Sequence, residues 1–97
     1  MSNNHKKHNY FSIIVDDMGI YASEVFSKKI RLLSINIDLE QVDDGFVENI
    51  SDIKVKTCVE KKSKDVLFLK TTLLENKNII VTASAVWSKE PWYDENN

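Results

Sequence analysis

Glycine, proline, cysteine and arginine are all scarce in this chain. Its 97 residues include two glycines, one proline and one cysteine. A P-loop or a dinucleotide-binding turn needs several glycines in one turn, so neither fits. A single cysteine cannot close an internal disulfide, which removes a covalent staple from the design. No apolar run approaches the ~18 residues that a membrane-spanning helix needs. The opening Met1-Ser2-Asn3-Asn4-His5-Lys6-Lys7-His8 has positive charge but no apolar stretch behind it, unlike a secretory signal. A cytoplasmic location is the expectation, with an organellar one left open. Neither charge sign is in large excess. Thirteen basic and 15 acidic residues give a formal net charge of −2, which argues against a dedicated nucleic-acid partner. Arg31 is the only arginine, and the lysine bias carries no functional meaning by itself.

What is present fits one small domain. A chain of this length buries little more than ~60% of its unfolded surface, so its core is thin and association with a second copy would help it. Residues 1–9 are polar and read as a loose tail. Residues 10–88 carry nearly all the apolar pattern, and residues 89–97 return to polar apart from Pro91-Trp92-Tyr93. Tyr10, Ile13, Ile14, Met18, Tyr21, Ala22, Val25 and Phe26 recur in steps of three and four, the helical period. They predict one helix over residues 9–28, with Asn9 as its N-cap. Lys28, Lys29 and Arg31 would then complement the negative end of the helix dipole. The other side carries Ser12, Asp16, Gly19 and Ser23. A glycine in mid-helix costs ~1 kcal/mol relative to alanine, so Gly19 predicts a close neighbour on its face.

The rest of the pattern has period two. Leu33, Ile35, Ile37 and Leu39 alternate with Ser34, Asn36 and Asp38, predicting a strand over residues 32–39 with one apolar face. After the turn signal Asp43-Asp44-Gly45, a second strand places Ile53, Val55, Thr57 and Val59 on one face, and Lys54, Lys56, Cys58 and Glu60 on the other. Lys61-Lys62-Ser63-Lys64-Asp65 reads as a hairpin loop. A third strand follows over residues 66–74. Glu75-Asn76-Lys77-Asn78 is a turn, and a fourth strand covers residues 79–88. Short connections make the last three strands an antiparallel meander. One long helix beside long twisted strands gives an α+β hotdog architecture, with the helix wrapped by a four- to five-stranded antiparallel sheet.

The residues Ile14-Val15-Asp16-Asp17-Met18 through Arg31-Leu32-Leu33-Ser34-Ile35-Asn36-Ile37 resemble the small hotdog acyl-CoA thioesterases of the thioesterase superfamily, the 4-hydroxybenzoyl-CoA thioesterase-like enzymes. There a helix carries a Val-Asp pair and a Ser or Thr opens the following strand. Asp16 and Ser34 stand 18 residues apart, without a gap relative to that pattern. Lys64-Asp65-Val66-Leu67-Phe68 and Asn78-Ile79-Ile80-Val81-Thr82-Ala83-Ser84-Ala85 are similar to the closing hairpin. The resemblance covers residues 10–88.

The resemblance implies hydrolysis of acyl-CoA to a fatty acid and coenzyme A. Asp16 would be the general base or nucleophile, and Ser34 would help to position the attacking water. A carboxylate on the small-residue face of a buried helix would shed hydration and gain basicity. Asn36 shares the strand face of Ser34 and could bind nearby. Arg31, Lys61, Lys62 and Lys64 are candidates for the phosphates of coenzyme A. No metal and no cofactor beyond that coenzyme A is implied, and His5 and His8 show no third metal ligand. Self-association to a dimer or tetramer is expected.

The chain departs from the family at one place. Lys7-His8-Asn9-Tyr10 stands where the family has His-Gly-Gly at the start of the central helix. There a backbone N–H polarises the thioester oxygen. A backbone N–H of His8 or Asn9 could serve. The family's preceding strand also lacks a counterpart, so the chain reads as N-terminally short. The plainer reading makes Asp16 and Asp17 a cap on a shorter helix, Ser34 an ordinary outward strand residue and Cys58 an inert, partly buried thiol. Trp87, Trp92 and Tyr93 would cover an apolar edge or a partner surface. The alternative function is a non-catalytic hotdog domain that binds acyl-CoA or serves as an oligomer subunit.

Overall fold

The helical period between Tyr10 and Phe26 becomes one element. In the structure, a computed structural model that describes residues 8–27, 29–40, 46–47 and 52–89, helix α1 spans Tyr10–Phe26. Asn9 caps it as the sequence suggests. Its side chain accepts from the backbone N–H of Phe11 at 2.7 Å and of Ser12 at 3.3 Å, so two unpaired donors of the first turn are satisfied. The helix stops when Ser27 turns left-handed, at φ 53°, and sends its N–H back to the carbonyl of Ser23. No basic residue lies in the last turn, so the expected dipole match is not made there. Lys29 and Arg31 already belong to the next segment, and Lys28 lies outside the described residues.

Before and after the helix, β1 (His8–Asn9) pairs antiparallel with β3 (Phe46–Val47) in a short ribbon. The main sheet contains β2 (Ile30–Leu39), β4 (Ile53–Lys62), β5 (Val66–Glu75) and β6 (Asn78–Lys89), in the order β2-β6-β5-β4. Every neighbouring pair is antiparallel. The last three strands form the expected meander, and β2 pairs with the final strand. One helix against a four-stranded antiparallel sheet is compatible with the hotdog architecture.

Alternation decides which residues meet the helix. Tyr10, Ile14, Met18 and Ala22 form the buried stripe of α1. They share a core with Leu67, Leu69 and Leu73 of β5 and with Val81, Ala83, Ala85 and Trp87 of β6. Small side chains at Ala83 and Ala85 leave room on the central strand. Burying one Leu-sized side chain contributes ~1.5–3 kcal/mol, so most of the stability resides in this seam.

Three irregularities re-aim the strands. Leu32 pairs with Trp87 and Ser34 pairs with Val86, which makes Leu33 the extra residue of a β-bulge. Leu33 is therefore exposed rather than on the apolar face, and Leu32, Ile35 and Ile37 pack on the core in its place. A second shift falls between Val59 and Lys61, and Val59 is exposed there instead of following Thr57 inward. A third makes Ile80 extra opposite Leu73 and Leu74, which buries Ile80 and exposes Ile79.

Trp87 is buried, at 3% exposure, and so does not cover an outer edge. The phase of β6 points it at the helix, beside Gly19. A Cβ placed on Gly19 would lie 3.5 Å from Trp87 Cη2, so Trp87 is its neighbour, but at an ordinary contact distance that does not require glycine. Trp92 and Tyr93 lie outside the described residues. Among the described residues, no helix is long and apolar enough to cross a membrane.

Candidate active site

A helix laid along a sheet leaves a trough where its flank meets the edge strand. Here that trough lies between α1 and β4. It encloses about 310 Å³ and is lined by Asn9, Ser12, Ile13, Asp16, Asp17, Ile20 and Val55. Three of these side chains are apolar and two are carboxylates. The carboxylates are adjacent in sequence and ~100° apart around the helix, so they meet different surroundings.

Asp16 is exposed at the mouth, so it does not undergo the desolvation expected for a buried helix face. Among the described residues its side chain makes no hydrogen bond and is free to meet a ligand. Asp17 is turned further toward the sheet and is half-buried. Its Oδ2 accepts from Thr57 Oγ1 at 2.6 Å. Thr57 Oγ1 also lies 2.7 Å from Thr71 Oγ1, and Thr71 is fully buried. A hydroxyl has one proton, and that of Thr57 goes to Asp17. Thr71 must therefore donate to Thr57, giving a directed chain Thr71→Thr57→Asp17. Thr57 and Thr71 are directly opposite on β4 and β5. In the sequence alone Asp17 stands out only as a cap. Its signal was available: Thr57 breaks the apolar face of β4 at Ile53, Val55, Thr57, and a polar residue there needs a partner. With the helix starting at Tyr10, neither carboxylate is a cap.

The other candidates are dispersed. Ser34 and Asn36 are exposed on β2. Their strand neighbours Ile35 and Ile37 pack on the core, so Ser34 and Asn36 occupy the sheet face turned away from the helix. The trough borders β4, at the opposite edge of the sheet, so one copy of the chain does not bring Ser34 to Asp16. Arg31 is exposed near the start of β2. Lys61 sits over the Phe68 ring at 5.9 Å, and Lys62 over the Phe26 ring at 5.7 Å, near the far end of the helix. Lys62 is five residues beyond Thr57 on β4, or ~17 Å along the strand. Lys64 is exposed in the adjoining loop. Asn9 lines the trough, whereas His8 is not among its lining residues and precedes it in β1. Cys58 is exposed, not partly buried, on the side of β4 away from the helix.

No protein-family model matches the sequence, and neither does any curated protein. Solved structures share the fold. A conserved protein from Pseudomonas aeruginosa superposes with a TM-score of 0.65 at 16% identity, over 81% of this chain and 61% of that one. The chain thus spans less than two thirds of that protein's length. A hypothetical protein from Aquifex aeolicus gives a TM-score of 0.58 at 10% identity, over 86% of this chain and 93% of that one. A probable thioesterase from Bartonella henselae gives 0.51 at 18% identity, over 82% and 68%. At such identities the likeness is one of fold alone, a fold this chain shares with that probable thioesterase.

Proposed function

We propose that the chain hydrolyses acyl-CoA thioesters in the trough between α1 and β4, with Asp16 as the general base. The observation that carries this reading is the trough itself, where the unpaired carboxylate of Asp16 stands beside the apolar Ile13, Ile20 and Val55. An acyl chain suits those walls, and a carboxylate with no competing hydrogen bond can take a proton from water. The resulting hydroxide adds to the thioester carbonyl carbon. The C–S bond then breaks, and the thiolate leaves with its electron pair and takes up the proton, giving a carboxylic acid and a thiol. In the nucleophile variant, Asp16 attacks first and water cleaves the mixed anhydride. The thioesterase-like fold supports the reading at the level of class.

Ser34 would enter this chemistry only from a second copy, consistent with the expected dimer or tetramer. Lys61, Lys62 and Lys64 would meet the phosphates of an extended substrate lying along β4, and Arg31 lies across the sheet from them. Purified protein should release free thiol from a medium- or long-chain acyl-CoA. Asp16→Asn should slow that release by a factor of about 10²–10⁴ with the circular dichroism spectrum unchanged. Undiminished turnover in the variant would remove Asp16 from this role.

A second reading is supported by one contact. The Asn9 side chain already holds the N–H groups of Phe11 and Ser12, at the helix end where an oxyanion would be received. With those donors occupied, only the N–H of His8 or Asn9 is left to receive an oxyanion, and a domain that does not offer it there would bind acyl-CoA without cleaving it. Saturable binding with no thiol release selects this reading.

A further inference from the structure

The reverse side of β4 carries a second concavity of opposite character. Ile53, Val55 and Thr57 point toward the helix, so Lys54 and Lys56 point away from it. They line a cleft of about 420 Å³ together with Asp52, Leu74, Asn76 and Lys77. The two clefts are back to back: Val55 lines the trough beside the helix, and its neighbours on either side line this one. Three ammonium groups face one carboxylate here, in a chain whose formal net charge is −2. Among the described residues, none of the three lysines makes an ion pair. One carboxylate does not balance three like charges, and an anion between the lysines would offset the remaining repulsion.

The backbone gives an independent sign. Asn76 and Lys77 are the two central residues of the β5–β6 hairpin, between the paired Glu75 and Asn78, and both have positive φ, 52° and 72°. That is a type I′ turn, whose second position strongly favours glycine. Asparagine tolerates a left-handed backbone, whereas lysine there costs ~1 kcal/mol or more. The chain keeps a lysine where glycine would relieve strain, and that lysine lines the cleft. Retained strain of this kind is common where a side chain binds something.

We propose that this cleft binds a phosphate-bearing polyanion, with Lys54, Lys56 and Lys77 holding the phosphates, Asn76 donating a further hydrogen bond and Leu74 packing under the apolar part of the ligand. The residues of this site lie on the other face of the sheet from the trough. The anion is either a free organic diphosphate or the phosphate-bearing end of a larger substrate that reaches around the edge of β4, and only the second of these sources rests on the thioester reading.

Titration of the ¹⁵N-labelled chain with inorganic pyrophosphate tests the proposal. Saturable shifts should centre on the amides of Lys54, Lys56, Asn76 and Lys77. Lys54→Gln combined with Lys56→Gln should weaken binding at least tenfold. Lys77→Gly should also weaken binding while raising the melting temperature, a combination that a purely structural lysine would not produce. A parallel titration with coenzyme A separates the sources. Shifts in this cleft together with Asn9 and Ser12 assign the anion to a larger substrate, and pyrophosphate binding without them assigns it to a free diphosphate. Absence of saturable binding overturns the proposal. So do shifts spread equally over the exposed Lys29 and Lys70, which mark unspecific attraction to lysines. No readout involves thioester cleavage, so the proposal can fail while the activity stands, and the reverse.

Discussion

Thr57 joins the edge strand to the helix by donating its hydroxyl proton to Asp17 across 2.6 Å. Behind it, the fully buried Thr71 donates to Thr57 at 2.7 Å. A carboxylate next to a core is costly to leave unpaired, and so is a buried hydroxyl. This chain satisfies both at once and fixes the sheet side of the trough.

Thr57→Val keeps the shape of the side chain and removes both contacts. It leaves the Thr71 hydroxyl without its acceptor and Asp17 without its donor. The expected loss is ~1–3 kcal/mol in urea unfolding. Adding Thr71→Val removes the buried orphan hydroxyl, so the double variant should be more stable than the sum of the two single losses implies. Strictly additive losses would mean that the two threonines are not coupled.

Gly19→Ala should stabilise the protein by up to ~1 kcal/mol. A Cβ at 3.5 Å from Trp87 Cη2 is in ordinary contact, so the helix propensity gain is not offset by a clash. The midpoint of thermal unfolding should rise. Gly19→Leu should lower it, because further atoms would have to displace the buried Trp87 ring. A fall with alanine would show that the helix sits closer to the sheet than this contact allows.

Asn9→Ala should cost ~1 kcal/mol, since Phe11 and Ser12 lose their acceptor at the helix start. Asn9→Asp should retain most of the stability, because a carboxylate accepts the same two bonds and complements the helix dipole. Equal stability of the alanine variant and the parent, measured by chemical denaturation, would contradict the capping role.

Much of the fold is legible in the sequence because it rests on local periodicity. Steps of three and four from Tyr10 to Phe26 specify a helix whatever surrounds it, and Asn9 marks its start by the chemistry of its own side chain. Alternation specifies the four long strands, and Asn76-Lys77 specifies a tight turn. Asp16 is recognisable as a residue of interest through its place in a motif. What lies in the phase of the strands is not legible. A bulge at Leu33 changes which residues of β2 face the core, and no single side chain announces it. Strand order is equally hidden. It puts Ser34 at one edge of the sheet and Asp16 beside the other, although their spacing along the chain suggests partnership.

The sequence by itself determined the elements: one amphipathic helix, four long strands, their turns and a chain without staples or glycine-rich loops. Local physics suffices for these, because propensity, capping and periodicity act over a few residues. Only the tertiary structure decided the relations between elements. It set Thr57 against Asp17, Trp87 against Gly19, and Lys54 and Lys56 beside Lys77 on the outer face. Those contacts join residues 40, 68 and 21 or more positions apart. They follow from the register of strand pairing and the packing of the helix on the sheet, which many side chains fix jointly and no short segment encodes.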